Sequence, residues 1–188
     1  MKKSVFLYIL IIIINSSSNC QVYNKIPFGL NILPNGILEN SEWSDSKTTQ
    51  IDSTVLLKIK QDSIYVYIGI KFLNEKHSGI DLYISDHKDY KRMLHISSTL
   101  ASKQIGNYEW GKVLWELQAG WTGNTVGIYY DENGKMKIIE PDGFEIQICK
   151  SFLKTTELRL RFHLKRPEKV LPEHSSENNS GNWYKYYL

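Results

Sequence analysis

The sequence predicts an all-β fold: an antiparallel β-sandwich, jelly-roll-like, forming a single domain behind an export signal. Three observations predict it. Short apolar runs alternate with turn formers along most of the chain, and no helical periodicity lasts more than two turns. The runs themselves alternate with a period of two, so each is apolar on one face only. About eight such half-apolar strands must pair their faces across two sheets to leave water. A length of 188 residues suits one domain with a core large enough to need no staple.

In chain order, residues 1–20 come first. A basic MKK, the apolar run VFLYILIIII and the small polar NSSSNC have the three-part organisation of an export signal. The run is too short to span a bilayer comfortably. The signal can end in two ways. Cleavage after Cys20 would release a free chain, whereas a lipid on Cys20 would tether the protein to a membrane, although Ser-Ser-Asn before it departs from the usual lipobox. Either way the expected location is outside the cytoplasm: the cell envelope (periplasm or outer membrane) or the medium. Cys149 is then the one remaining thiol, with no internal disulfide, and is expected as a small packed residue.

The mature domain, 21–188, begins with the leader VYNKIPFGLNILP and then NGILENSEWSDS, where Trp43 stands among acids, serines and turn formers. TVLLKIKQDSIYVYIGIKF is a hairpin, with Val55, Leu57 and Ile59 facing the same way as Ile64, Val66, Ile68, Ile70 and Phe72. GIDLYIS points Ile80, Leu82 and Ile84 inward and Asp81, Tyr83 and Ser85 outward, and RMLHISSTL continues with Leu94 and Ile96 inward. In TVGIYYDENGKMKII, Asn133-Gly134 is the strongest short-range hairpin signal. GFEIQI and ELRLRFHL alternate almost without fault, leaving Arg159, Arg161, His163 and Lys165 on the polar face of the latter. A long polar loop, 166–182, precedes a last strand, WYKYYL.

Several function classes are excluded by these residues. Two lysines of the signal belong to the 23 basic residues set against 20 acidic ones, so the mature domain carries a net charge of only +1. With no basic stripe, it lacks the footprint that phosphate-backbone binding needs, and no nucleic-acid partner is expected. No nucleophile elbow, zinc-protease helix, phosphate loop or dinucleotide fingerprint is present, so the chain is expected to be non-catalytic. His77, His87, His95, His163 and His174 show no paired metal-ligand spacing, and most of them sit in turns or on polar strand faces where a solvated side chain is expected. Asp81, Asp86 and Asp89 could face a calcium ion, but not at the spacing of a known loop, so no cofactor is expected.

The strongest ligand signal is aromatic. NYEWGKVLWELQAGWTGN places Trp110, Trp115 and Trp121 within twelve residues, among glycines that mark loop. Sugars stack C–H patches on indole faces and need polar groups around the rim, which is the composition here. Trp115, between Val113 and Leu117 at strand period, is expected in the core, and Trp110 and Trp121 are the candidate platforms. Tyr83, Arg159 and Arg161 point away from the apolar faces and would complete a carbohydrate-binding surface if their strands are neighbours.

In this order the segments resemble the carbohydrate-binding module family 9-like and DOMON-type sandwich domains over nearly all of 21–188. NGILENSEW resembles the family's opening, DSIYVYIGIKF with IDLYIS its early hairpin and next strand, GFEIQICKSFL a late strand, and LRLRFHL with NWYKYYL its end. The resemblance implies that Trp43 and Trp183 pack against the sandwich. It implies a sugar clamped by two tryptophans, with a polysaccharide or oligosaccharide as partner. It also offers haem held by a Met and a His, for which Met93 and His163 are the candidates here. The function expected is an exported, non-catalytic carbohydrate-binding or envelope accessory protein; the alternatives are a protein-contact sandwich with no small ligand, or a haem-binding domain.

Overall fold

The computed structural model describes residues 24–86, 91–105, 111–112, 120–153 and 155–188. Cys20, Trp110, Trp115, His87 and Asp89 lie outside them. Two antiparallel sheets face each other, as the alternation requires. The first has the order β1 (Lys47–Asp52), β2 (Val55–Gln61), β3 (Tyr65–Phe72), β11 (Gly143–Cys149), β8 (Trp121–Gly123). The second runs β13 (Lys169–Leu171), β12 (Glu157–Lys165), β4 (Gly79–Asp86), β5 (Lys91–Ile96), β6 (Leu100–Gln104), β7 (Gly111–Lys112). β14 (Tyr184–Tyr187) pairs with β12 on the edge that β13 also uses. The hairpin of β9 (Gly127–Tyr130) and β10 (Met136–Ile139) stands apart, turning at Gly134 with φ 71°.

β3 pairs with β11 in one sheet while their successors β4 and β12 pair in the other, so the two crossings lie side by side. Between the sheets, Leu57, Ile59, Ile68, Ile70, Ile146 and Ile148 meet Ile80, Leu82, Leu94, Leu160, Phe162 and Leu164, all fully buried. These are the inward positions of the predicted alternation. The hairpin reading differs at one residue. Ile64 is 54% exposed, because Asp62 Oδ1 accepts the N–H groups of Ile64 and Tyr65 and so draws Ile64 into the turn.

Part of each outer face is also covered, each under a tryptophan. On the first sheet the leader folds back and lays Trp43 (1% exposed) against Leu38, Ile32 and Tyr67. Gly69 makes the space: a Cβ there would lie 2.8 Å from Leu38 Cδ2 and 2.9 Å from Trp43 Cζ2. The indole Nε1 donates to Glu145 Oε1 at 2.8 Å, and Glu145 Oε2 accepts the N–H groups of Asn35 (2.8 Å) and Gly36 (2.9 Å). Lys60, fully buried beside the ring, is paired with Asp45 at 2.8 Å. On the second sheet, residues 172–183 bring Trp183 down on Tyr83 and Met93. The packing expected of Trp43 and Trp183 is therefore what the fold contains. Cys149, expected inside, is half-buried on the outer face of β11 with Sγ 3.0 Å from Ser151 Oγ.

Candidate functional site

Strand pairing sets two rows of side chains across the outer face of the second sheet. Arg161 lies opposite Tyr83, which lies opposite Met93; one step along, His163 lies opposite Asp81, which lies opposite His95. The two rows have different fates.

The first row contains the residues expected to line a sugar surface. Tyr83, Arg159 and Arg161 are neighbours, as that expectation required, but the face is closed. Arg161 Nε donates to Ser175 O, Tyr83 Oη donates to Glu177 Oε2, and Arg159 Nη1 donates to Ser180 O. The Arg161 guanidinium stacks 4.4 Å from the Tyr83 ring, and Trp183 meets that ring edge-on. Burial, with the nearby charges of Asp81 and Glu177, pushes the Tyr83 phenol up to about 12. These side chains hold residues 172–183 in place; they offer no open platform. Trp121 is corrected in the same sense. It pairs with Ile148 in β8 and is 1% exposed in the core, so neither ring face is free for stacking. Trp110 lies outside the described residues.

The haem candidates have other commitments as well. Met93 is buried against Tyr83 and Trp183, and His163 Nδ1 accepts from Lys165 at 3.0 Å. Burial, followed by the Lys165 charge, pushes the His163 imidazole below its usual range. No group of three or more His, Cys, Asp or Glu among the described residues could hold a metal ion.

The second row stays open. Where residues 172–183 leave it uncovered, a cleft of about 590 Å³ is lined by Ser78, His95, Ser97, Ser98, Lys165, Arg166 and Glu168. Asp81 is buried and holds two of the lining residues. Its Oδ1 lies 2.6 Å from His95 Nδ1 and its Oδ2 3.0 Å from Lys165 Nζ. Burial works to raise the Asp81 pKa, but the hydrogen bonds from His95 and Lys165 outweigh it and hold the carboxyl below its usual range. An ionised carboxylate only accepts, so His95 Nδ1 is the donor to it; in the tautomer that carries its proton there alone, Nε2 is an acceptor. Ser97 Oγ, 2.9 Å away, is then the donor to Nε2. Arg166 stands at the lip in the left-handed region, φ 50°, where the β12–β13 turn holds it, and makes no ion pair among the described residues. A non-glycine residue is seldom placed there without a local reason.

Sequence reasoning filed His95 as a solvated side chain and did not name Ser97. The polar face of each strand was legible; the register that sets Asp81 beside His95 was not, because the β4–β5 connection carries no turn signature. Comparison with family models, with curated proteins and with solved structures finds no match for this chain. What it does is accordingly argued from its own geometry.

Proposed function

We propose that the chain is an exported carbohydrate-binding accessory protein of the cell envelope, and that the ligand sits in the cleft over Asp81 rather than on a tryptophan platform. The lining of that cleft carries the reading. Three serine hydroxyls, an imidazole, a lysine, an arginine and a carboxylate surround it, which is the mixture of donors and acceptors that vicinal sugar hydroxyls use. Its volume falls in the range of small-ligand sites. A glycan array on residues 21–188 tests it, followed by calorimetry with Arg166→Ala and Glu168→Ala. Each variant should lose roughly 1.5 to 3 kcal/mol of binding, the size of a hydrogen bond to a charged group. An array with no hit, or variants that bind as tightly as the parent, would end the proposal. Export and tethering at Cys20 belong to the same reading and are checked by mass spectrometry of the mature N-terminus. A peptide beginning at unmodified Gln21 excludes the lipid. No helix among the described residues is long and apolar enough to cross a membrane.

The protein-contact alternative has one observation of its own. Ile128, Tyr130, Met136 and Ile138 share one face of the β9–β10 hairpin, with Tyr130 69% and Ile138 64% exposed. Apolar faces of this kind mark contact surfaces. Tyr130→Asp would abolish co-migration with an envelope partner on native gels under this reading and leave glycan binding untouched.

A further inference from the structure

We propose that Ser97, His95 and Asp81 form an acyl-transfer array that hydrolyses small carboxylic esters with a polar, hydroxylated alcohol part. The non-catalytic expectation came from the absence of sequence motifs. This array is one that no motif reports, because it is assembled by pairing β4 with β5 and by the turn after β5.

The parts stand in the order the chemistry needs. Ser97 Oγ donates to His95 Nε2 across 2.9 Å, and His95 Nδ1 donates to the buried Asp81 carboxylate across 2.6 Å. Both spacings are within reach for proton transfer in a nucleophile–base–orienter set. Ser97 and His95 both line the cleft, so an ester entering it meets the hydroxyl and its base together. The N–H of Ser98, next after the nucleophile, has no hydrogen-bond partner among the described residues, and Arg166 lines the same cleft. Donors of these two kinds stabilise a developing oxyanion. Lys165 neutralises the far oxygen of Asp81 and fixes the carboxylate, leaving Oδ1 to the imidazole.

The steps balance. Ser97 Oγ attacks the ester carbonyl carbon and passes its proton to His95 Nε2, and the carbonyl oxygen becomes the oxyanion. Collapse breaks the bond to the alcohol oxygen, which leaves with the proton from His95. Water then attacks the acyl-serine, giving a proton to His95; the carboxylic acid departs and the proton returns to Ser97. The catalytic residues are Ser97 and His95, and Asp81 is a positioning residue.

The probes are a fluorophosphonate and 4-nitrophenyl acetate, applied to the exported protein. A fluorophosphonate adduct should map to Ser97 in the parent and be absent in His95→Ala. Ser97→Ala should lose hydrolysis by about 100-fold or more, with its melting temperature held, since Ser97 is half-buried in a turn and belongs to no apolar cluster. Asp81→Asn should lower kcat far more than it changes KM, because it disturbs the tautomer of the base while keeping the size of the side chain that holds His95 and Lys165. A parent that takes no label at Ser97 and hydrolyses no faster than buffer overturns the proposal, and that measurement needs no variant. Hydrolysis that survives in Ser97→Ala overturns it too. Glycan binding plays no part in these readouts, so they separate this activity from the binding reading.

Discussion

Replacing Glu145 by Gln tests whether the Trp43 cover is fixed by hydrogen bonding as well as by packing. The carboxylate has no exposure and serves three donors: Trp43 Nε1 on Oε1, and the Asn35 and Gly36 amides on Oε2. A glutamine offers one oxygen. Its better rotamer keeps that oxygen toward the two amides and turns the –NH₂ against the indole N–H, leaving one buried donor facing another. An unsatisfied buried donor costs about 1–3 kcal/mol. Trp43→Phe removes the indole donor, strands Oε1 and costs about 1.5–3 kcal/mol for the lost bond to a charged group. In the double variant the –NH₂ meets a ring instead of a donor, so the conflict is gone. The two costs should then fall short of additivity by about 1 kcal/mol or more. Urea unfolding followed by circular dichroism measures all four corners. Additivity within about 0.5 kcal/mol would show that no coupling exists and refute the reasoning. There is a pH signature as well. Burial, outweighing the three hydrogen bonds, holds the Glu145 pKa above its ordinary 4.5. Taking up a proton as pH falls toward that value therefore favours the folded state, and this component disappears in Glu145→Gln.

Three further outcomes are expected. Trp43→Ala empties a fully enclosed site and should destabilise by roughly 3 to 5 kcal/mol; a melting temperature within a degree or two of the parent would contradict it. Gly69→Ala places a methyl 2.8 Å from Leu38 and 2.9 Å from Trp43 and should cost about 1–3 kcal/mol through overpacking, a cost that Trp43→Ala in the same chain should relieve. Lys169, then Thr54, by hydrogen bonding to Asp52, holds that carboxyl well below its ordinary 3.8. Its contribution is therefore present above 3.8 and is lost as pH falls below it, so Asp52→Asn should flatten the acid limb of a stability-against-pH curve.

How far the fold could be foretold depended on which force set each part. Period-two alternation is a direct imprint of burial between sheets, so β2, β3, β4, β11 and β12 could be read from Val55, Ile68, Leu82, Ile146 and Phe162 alone. The outer covers were harder. Trp43 and Trp183 were read as packed only through a family-like pattern, since a lone indole in a polar segment does not say which face it covers. Tyr83 and Arg161 were read as outward, and they are, but outward did not mean open, because the largely polar stretch 172–183 covers them with the Ser175 carbonyl, the Glu177 carboxylate and a single indole, Trp183. The open cleft depends on register and on where that cover stops. Neither leaves a trace in Ser97 or His95 individually.

The leader is joined to β14: Ile26 N–H donates to Tyr187 O, and Tyr187 N–H donates to Asn24 O. The stretch that carries Trp43 and the stretch that follows Trp183 thus share one seam, closed across about 160 residues of intervening chain. The leader precedes β14 by most of the domain, so this seam cannot close until Tyr187 has joined the chain, whereas the Trp43 cover needs only the residues as far as Glu145. A pairing between segments this far apart in the chain is one that closes late in folding.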